Sequence, residues 1–216
     1  MENNNFTEYN FENYDVKGLK IHINFSKNNF IEIKTHEEIN RPIENNIEDF
    51  LEPLLFGIDV NLESMKKIND LKGKKIILLD GHHRYEYLKR NNIDKLVQIV
   101  LISIEDIKIL SYPSYLIIGR KEFEEILEIY NFSINSSSKF FVSLDDKKFF
   151  NNEIEDIYEL YEFKKLCFVN KYIISATDEN QAKDKITINF TPIEVSEIVK
   201  NDSLFPPKST WITPRL

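Results

Sequence analysis

A mixed α/β fold of the α+β class, a core sheet with helices followed by a smaller α/β lobe, is what this sequence predicts. Three observations carry that expectation. Short segments alternate apolar and polar residues, as half-buried strands do; another recurs apolar at three-to-four spacing, as a helix does; and an unbroken apolar run ends in Asp80-Gly81 before a second helical pattern. Leu19 to Phe25 is the first predicted strand, with Leu19, Ile21 and Ile23 on one face. Phe30 to Lys34 is the second, through Ile31 and Ile33, and both are expected in one sheet. From Arg41 the positions Ile43, Ile47, Phe50, Leu51, Leu54 and Leu55 predict an amphipathic helix that stops at Gly57. A hairpin is expected next, from Ser64 to Ile68, a Lys72-Gly73 turn, and Ile76 to Leu79. His82 to Asn91 reads as a helix and Leu96 to Ser103 as a central strand, so strand, glycine turn, helix and strand form a crossover unit.

Beyond that point the chain changes character. Arg120 to Tyr130 predicts a short helix, the SSSKFFVSL region and Leu166 to Ala176 predict strands, and a helix is expected between them near Asp146 to Tyr161. Ile186 to Phe190 adds a strand. Thr191-Pro192-Ile193-Glu194 has the form of a capping box with proline at the first helical position, which predicts a helix from Pro192 to about Lys200. Two lobes are expected, residues 1–108 and 109–216, with the terminal segment returning to the site of the first.

Composition narrows the function. The chain has 216 residues, 42% hydrophobic and 30% charged, enough apolar sequence for a sizeable core. Thirty-six acidic against 28 basic side chains leave a net charge of -8, so duplex DNA meets a repulsive average field and is not an expected partner. No stretch reaches the roughly 18 apolar residues of a membrane helix, and MENNNFTEYN has neither region of a signal peptide, so a cytoplasmic protein is expected. The single cysteine, Cys167, excludes an internal disulfide and a thiolate-cage zinc site, and it is placed on an apolar strand as buried filler.

Asp80-Gly81-His82-His83-Arg84 is the strongest chemical signal. The first N–H groups of a helix carry partial positive charge and favour an anion, and Gly81 lets a ligand approach the backbone. Arg84 offers a planar charged fork, His82 and His83 add donors, and Asp80 either holds a divalent cation or caps the helix. The package suits a nucleotide polyphosphate; the same residues also read as an ordinary cap and turn. His36, in Thr35-His36-Glu37-Glu38, follows the second strand, so three of the four histidines flank loops that one sheet can gather. A carboxylate there is placed either as a general base or as the acidic first turn of a helix. Pro206-Pro207-Lys208-Ser209-Thr210-Trp211 stiffens a tail that contains the only tryptophan, so the tail should dock, as a closing strand, a site segment or both.

LLDGHHRYEYLKR followed by LVQIVLI resembles the ParB/sulfiredoxin-like superfamily over about residues 20 to 104. Within it, the sequence looks most like the free serine kinases and an uncharacterised family with DGHHRYE and a terminal PPKST. The resemblance implies a kinase that makes O-phosphoserine from free L-serine, with ADP or ATP as donor and Mg2+ as cofactor. It implies that Glu37 is the base on the serine hydroxyl, with His36 at the substrate. Gly81, His82, His83 and Arg84 would hold nucleotide phosphates, Asp80 magnesium, and Lys208, Ser209 and Thr210 the amino acid. Sulfiredoxin activity is not expected, because the corresponding box has no cysteine, and neither is chromosome partition, because no helix-turn-helix array or basic face follows. The alternative is a nucleotide-binding regulatory module without turnover. Oligomeric state is not legible.

Overall fold

The computed structural model describes residues 5–39, 52–135, 137–176 and 186–216. Its contacts group the chain into two units. Met1–Lys108, Val195–Leu204 and Ile212–Leu216 form the first; Ile109–Glu194 and Phe205–Trp211 form the second.

Among the described residues the first unit is built on β1 (Thr7–Asn10), β2 (Lys17–Ile23), β3 (Glu32–Lys34), β4 (Leu54–Ile58), β5 (Lys75–Asp80) and β6 (Val97–Ser103), in the sheet order β1-β2-β6-β4-β5-β3. Helix α1 (His82–Arg90) follows β5. Both predicted early strands belong to this sheet, but at opposite sides of it. β4 lies at the centre, parallel to β6 and antiparallel to β5, and every one of its residues is buried. That position explains two corrections. The helix predicted from Arg41 falls mostly on 40–51, outside the described residues, and its expected last turn, Leu54-Leu55, is strand instead. Gly57 is no stop: a Cβ there would come within 3.2 Å of Leu79 Cδ1, so glycine lets neighbouring side chains close over the strand. β5 and β6 therefore run in opposite directions with β4 between them, and the predicted crossover does not join parallel strands.

The true hairpin partner of β5 is β4, not Ser64 to Ile68. That segment is held in two 3-10 turns, Leu62–Ser64 and Ile68–Leu71. Asn61 Oδ1 accepts the Glu63 N–H at 2.9 Å, and the Asp70 carboxylate accepts the N–H groups of Lys66 and Lys67 at 2.8 and 3.0 Å. Local side-chain acceptors take the donors that a ladder would need. Gly73, at φ +72°, makes the turn into β5. α1 packs on the sheet through Tyr85 and Leu88, with the Tyr85 ring 5.5 Å from Phe25 and 6.4 Å from Phe56.

Helix α4 (Val195–Lys200) also belongs to the first unit. It begins later than predicted because Thr191 is committed to Phe141: the Phe141 N–H donates to Thr191 Oγ1 at 2.7 Å, and the Thr191 N–H to Phe141 O at 3.0 Å. Its far end is capped by the buried Lys34, which donates to the carbonyls of Val199 (3.3 Å) and Asn201 and pairs with Asp202 at 3.4 Å. The hydrogen bonds from Lys34, then Lys75, hold the Asp202 carboxyl below its ordinary value.

The second unit carries an antiparallel sheet. Its described strands are β8 (Ser114–Leu116), β9 (Phe141–Leu144), β10 (Lys147–Phe150), β11 (Ile173–Ser175) and β12 (Thr187–Phe190), in the order β10-β9-β12-β8-β11. Helices α2 (Arg120–Ile129) and α3 (Ile157–Val169) accompany it, and β7 (Lys108–Ser111) pairs with β13 (Thr210–Thr213) in a two-stranded ribbon. Two elements differ from expectation. Asp146 to Phe150 is largely strand, paired with β9, and Leu166 to Val169 is the end of α3. Cys167 is therefore helical. It is buried alongside Leu160, Tyr161, Phe163 and Lys164 at helical spacing, while Val169 at the end of the same apolar run is 73% exposed. Burial pushes the thiol up to about 12, which removes it as a nucleophile at neutral pH. No helix among the described residues is long and apolar enough to cross a membrane.

Candidate functional site

The site forms where β5 ends. Asp80 is its last residue, Gly81 the turn, and α1 starts at His82. Gly81 has φ +91° and ψ +26°, the left-handed region that side chains disfavour, and a Cβ there would lie 2.4 Å from Leu54 Cδ2. Gly81 is itself the N-cap: its carbonyl accepts the Tyr85 N–H at 2.9 Å, and it has no side chain to cover the helix end. Asp80 does not cap α1, because its Oδ1 accepts the Gly81 N–H at 2.9 Å. A Gly81→Ala variant is expected to lose about 1–3 kcal/mol from backbone strain and the clash with Leu54. Chemical denaturation would measure this, and unchanged stability would show that the turn relaxes freely.

β3 and β5 pair in parallel, Lys34 opposite Ile77, so the residues after both strands emerge at one end of the sheet. That register brings His36 to the turn. The rings of His36 and His82 meet edge to face, with centroids 4.7 Å apart. His36 is buried and its Nδ1 lies 2.8 Å from Leu78 O. A carbonyl only accepts, so the proton sits on Nδ1 and fixes the tautomer. Glu37 is half-buried and Glu38 exposed. His82 Nε2 is buried without a hydrogen-bond partner, and such an atom at a helix N-terminus is poised for a ligand. His83 is half-buried, and His22, on β2, is exposed and takes no part.

Burial lowers the pKa of His36, against the opposing Glu37 charge, and lowers that of His82 well below its ordinary value, with His36 and His83 adding to the effect. Both imidazoles are neutral in the folded chain near pH 7, whereas the unfolded chain binds protons below about 6.5. Their contribution to stability is complete above that value and is lost as pH falls below it, by up to about 1.4 kcal/mol per pH unit for each histidine. The urea midpoint is expected to drop between pH 7.5 and 5.5, and to drop less in a His82→Phe variant. Equal drops in both proteins would remove His82 from the effect.

Arg84 folds back over the turn, its Nη2 3.0 Å from where a Gly81 Cβ would stand, and its Nη1 lies 2.9 Å from Glu52 Oε2. The guanidinium side chain is 14% exposed and Glu52 is 81% exposed. Asp80 Oδ1 has a second neighbour, Arg215 Nη2, at 3.5 Å. Sequence reading missed both Glu52 and Arg215. The signals were faint: a glutamate before Pro53, and an arginine in a tail whose Trp211 and Ile212 already implied docking.

The terminal triad has a different setting. Lys208, Ser209 and Thr210 belong to the second unit, whereas the histidines and the turn belong to the first. Lys208, at φ +60°, donates from Nζ to Ser175 Oγ at 2.8 Å. Ser209 is fully buried, its hydroxyl donates to the Pro206 carbonyl, and its own carbonyl accepts the Tyr112 N–H at 3.1 Å. Ser209 thus serves the turn after Pro206.

Among the described residues no group of three or more His, Cys, Asp or Glu side chains could hold a metal ion. Asp80 alone fits magnesium in one way: such an ion commonly takes one or two protein carboxylates and completes its shell with phosphates and water. A cavity of about 890 Å³ in the first unit lies elsewhere, beyond the Ile58 and Ser103 ends of β4 and β6, with Glu8, Asp15, Asp59, Glu63, Glu105 and Asp106 among its lining. Its acidic wall disfavours phosphate, so the turn outweighs it despite the cavity's size.

The fold class is mixed α/β, with a buried-strand-to-helix turn at the end of its main sheet. This architecture is similar over 95% of the chain to a mutant free serine kinase solved with AMP, at 17% identity, 91% coverage of that chain and a TM-score of 0.53. It is similar over 95% to another mutant solved with ADP, at 16% identity, 91% coverage and a TM-score of 0.54. SbnI from Staphylococcus aureus, truncated at its C-terminus, matches 90% of this chain and 82% of its own, at 11% identity and a TM-score of 0.57. No family model and no curated protein matches the sequence. At these identities the likeness establishes the fold alone.

Proposed function

We propose that the chain is a nucleotide-dependent phosphotransferase acting on a small hydroxyl substrate, free L-serine first, to give O-phospho-L-serine. The observation that carries this reading is the parallel pairing of β3 with β5, which sets His36-Glu37 beside the Gly81–Arg84 turn. A hydroxyl oxygen attacks the terminal phosphorus of ADP or ATP, the bond to the bridging oxygen breaks, and the nucleotide leaves as AMP or ADP. Glu37 accepts the hydroxyl proton, Arg84 and the N-terminus of α1 balance phosphate charge, and His82 Nε2 supplies a contact to the ligand. Magnesium, when bound through the phosphates and Asp80, neutralises charge on the transferring group. The solved free serine kinases with AMP and ADP support the nucleotide. Lys208, Ser209 and Thr210 as amino-acid contacts rest on the sequence resemblance alone. The competing reading is a nucleotide-binding module without turnover, which would need the phosphate turn and no base. Incubation with L-serine, Mg2+ and ADP or ATP, with O-phosphoserine as readout, is expected to show product; nucleotide binding with no product for any small hydroxyl substrate would favour the module.

A further inference from the structure

Both charged side chains of the turn are already partnered from outside it, Arg84 by Glu52 and Asp80 by Arg215. The four formal charges cancel, so a phosphate chain gains no net attraction from them while both pairs stand. Attraction arises when the cations change partner. The Arg215–Asp80 pair is suited to such an exchange: its closest approach is 3.5 Å and its side chains are 40% and 36% exposed. A pair of that kind contributes little to stability. The backbone that carries Arg215, by contrast, is anchored. Ile212 and Pro214 are buried, and Thr213 Oγ1 donates to Lys108 O at 3.3 Å. A guanidinium on a fixed backbone, already within 3.5 Å of Asp80, is delivered to one place beside the turn. Phosphate is a strong acceptor for it, since it takes the guanidinium fork through two parallel charge-assisted hydrogen bonds. A second, independent feature of the same helix end is His82 Nε2, which is buried without a hydrogen-bond partner.

We propose that Arg215 is a phosphate-binding residue of this site, paired with Asp80 in the free protein and turned to the nucleotide's phosphates on binding, which releases Asp80 toward the magnesium ion they carry. The inference rests on the nucleotide-binding reading above and adds a residue to it. Titration calorimetry of the full chain with ADP, with and without Mg2+, tests it in Arg215→Gln, Arg215→Lys and Arg84→Ala variants. Arg215→Gln is expected to weaken ADP binding about tenfold or more, and Arg215→Lys to recover part of that loss while keeping the fold. An Asp80→Asn/Arg215→Gln double variant, measured without magnesium, should stay weaker than the parent even though the uncompensated Asp80 charge is gone. Recovery of parent affinity in the double variant would mean that Arg215 merely neutralises Asp80, and the proposal would fall. Parent affinity in Arg215→Gln beside a loss in Arg84→Ala would also overturn it while leaving the phosphate site standing. Parent affinity in both would remove the site itself.

Discussion

Glu37→Gln is expected to bind nucleotide as the parent does and to lose about 10²–10⁴-fold in phosphoserine formation, the range a positioned general base supplies. A serine hydroxyl is a poor nucleophile until its proton is accepted during attack, and glutamine cannot accept it. Phosphate binding depends on other groups, so affinity should survive. The structure separates Glu37 from its neighbour. Glu37 follows the buried His36, whose Nδ1 is fixed on Leu78 O, and is half-buried, whereas Glu38 is exposed. Glu38→Gln should therefore cost little. Single-turnover assays with calorimetry of the same preparations check both halves; a Glu37→Gln enzyme at the parent rate would remove the base, and loss of nucleotide affinity would give Glu37 a binding role instead.

The second large effect is expected at Arg84. Its guanidinium lies mostly buried across the Gly81 turn and needs only to exchange the exposed Glu52 for a phosphate. Truncation to alanine removes a charge-assisted, forked contact, a loss of about 1.5–3 kcal/mol, or roughly 10–150-fold in nucleotide affinity. The orphaned Glu52 remains in water, so stability should change far less than binding. Calorimetry beside a denaturation curve separates the two, and a folded Arg84→Ala chain with parent affinity would place the phosphates elsewhere.

The turn was legible because its determinants are adjacent in sequence. An apolar run long enough for a buried strand, a glycine at the turn position with φ +91°, and a helical pattern closed by Asn91-Asn92 follow one another directly in the chain. The same local logic failed at Leu54-Leu55, where apolar spacing continued a helix but a place between β5 and β6 demanded an extended chain. It failed again at Leu166 to Val169, because a contiguous apolar run does not distinguish a buried strand from the end of a helix. Thr191 has the sequence of a cap and the structure of a partner to Phe141, a residue 50 positions away.

By itself the sequence determined the alternation of β2 and β3, the Asp80–Arg84 turn with α1, the acidic charge balance and the histidines as residues to watch, since each follows from side-chain chemistry within one or two turns of chain. Only the tertiary structure decided that β3 lies beside β5 and not β2, that His36 and not His22 meets His82, that Ser209 is buried, and that Glu52 and Arg215 hold the charges of the turn. Those outcomes depend on which strands share a ladder and which backbone ends at the same edge of a sheet. Such pairings are settled by collective burial over many tens of residues, which no local pattern encodes.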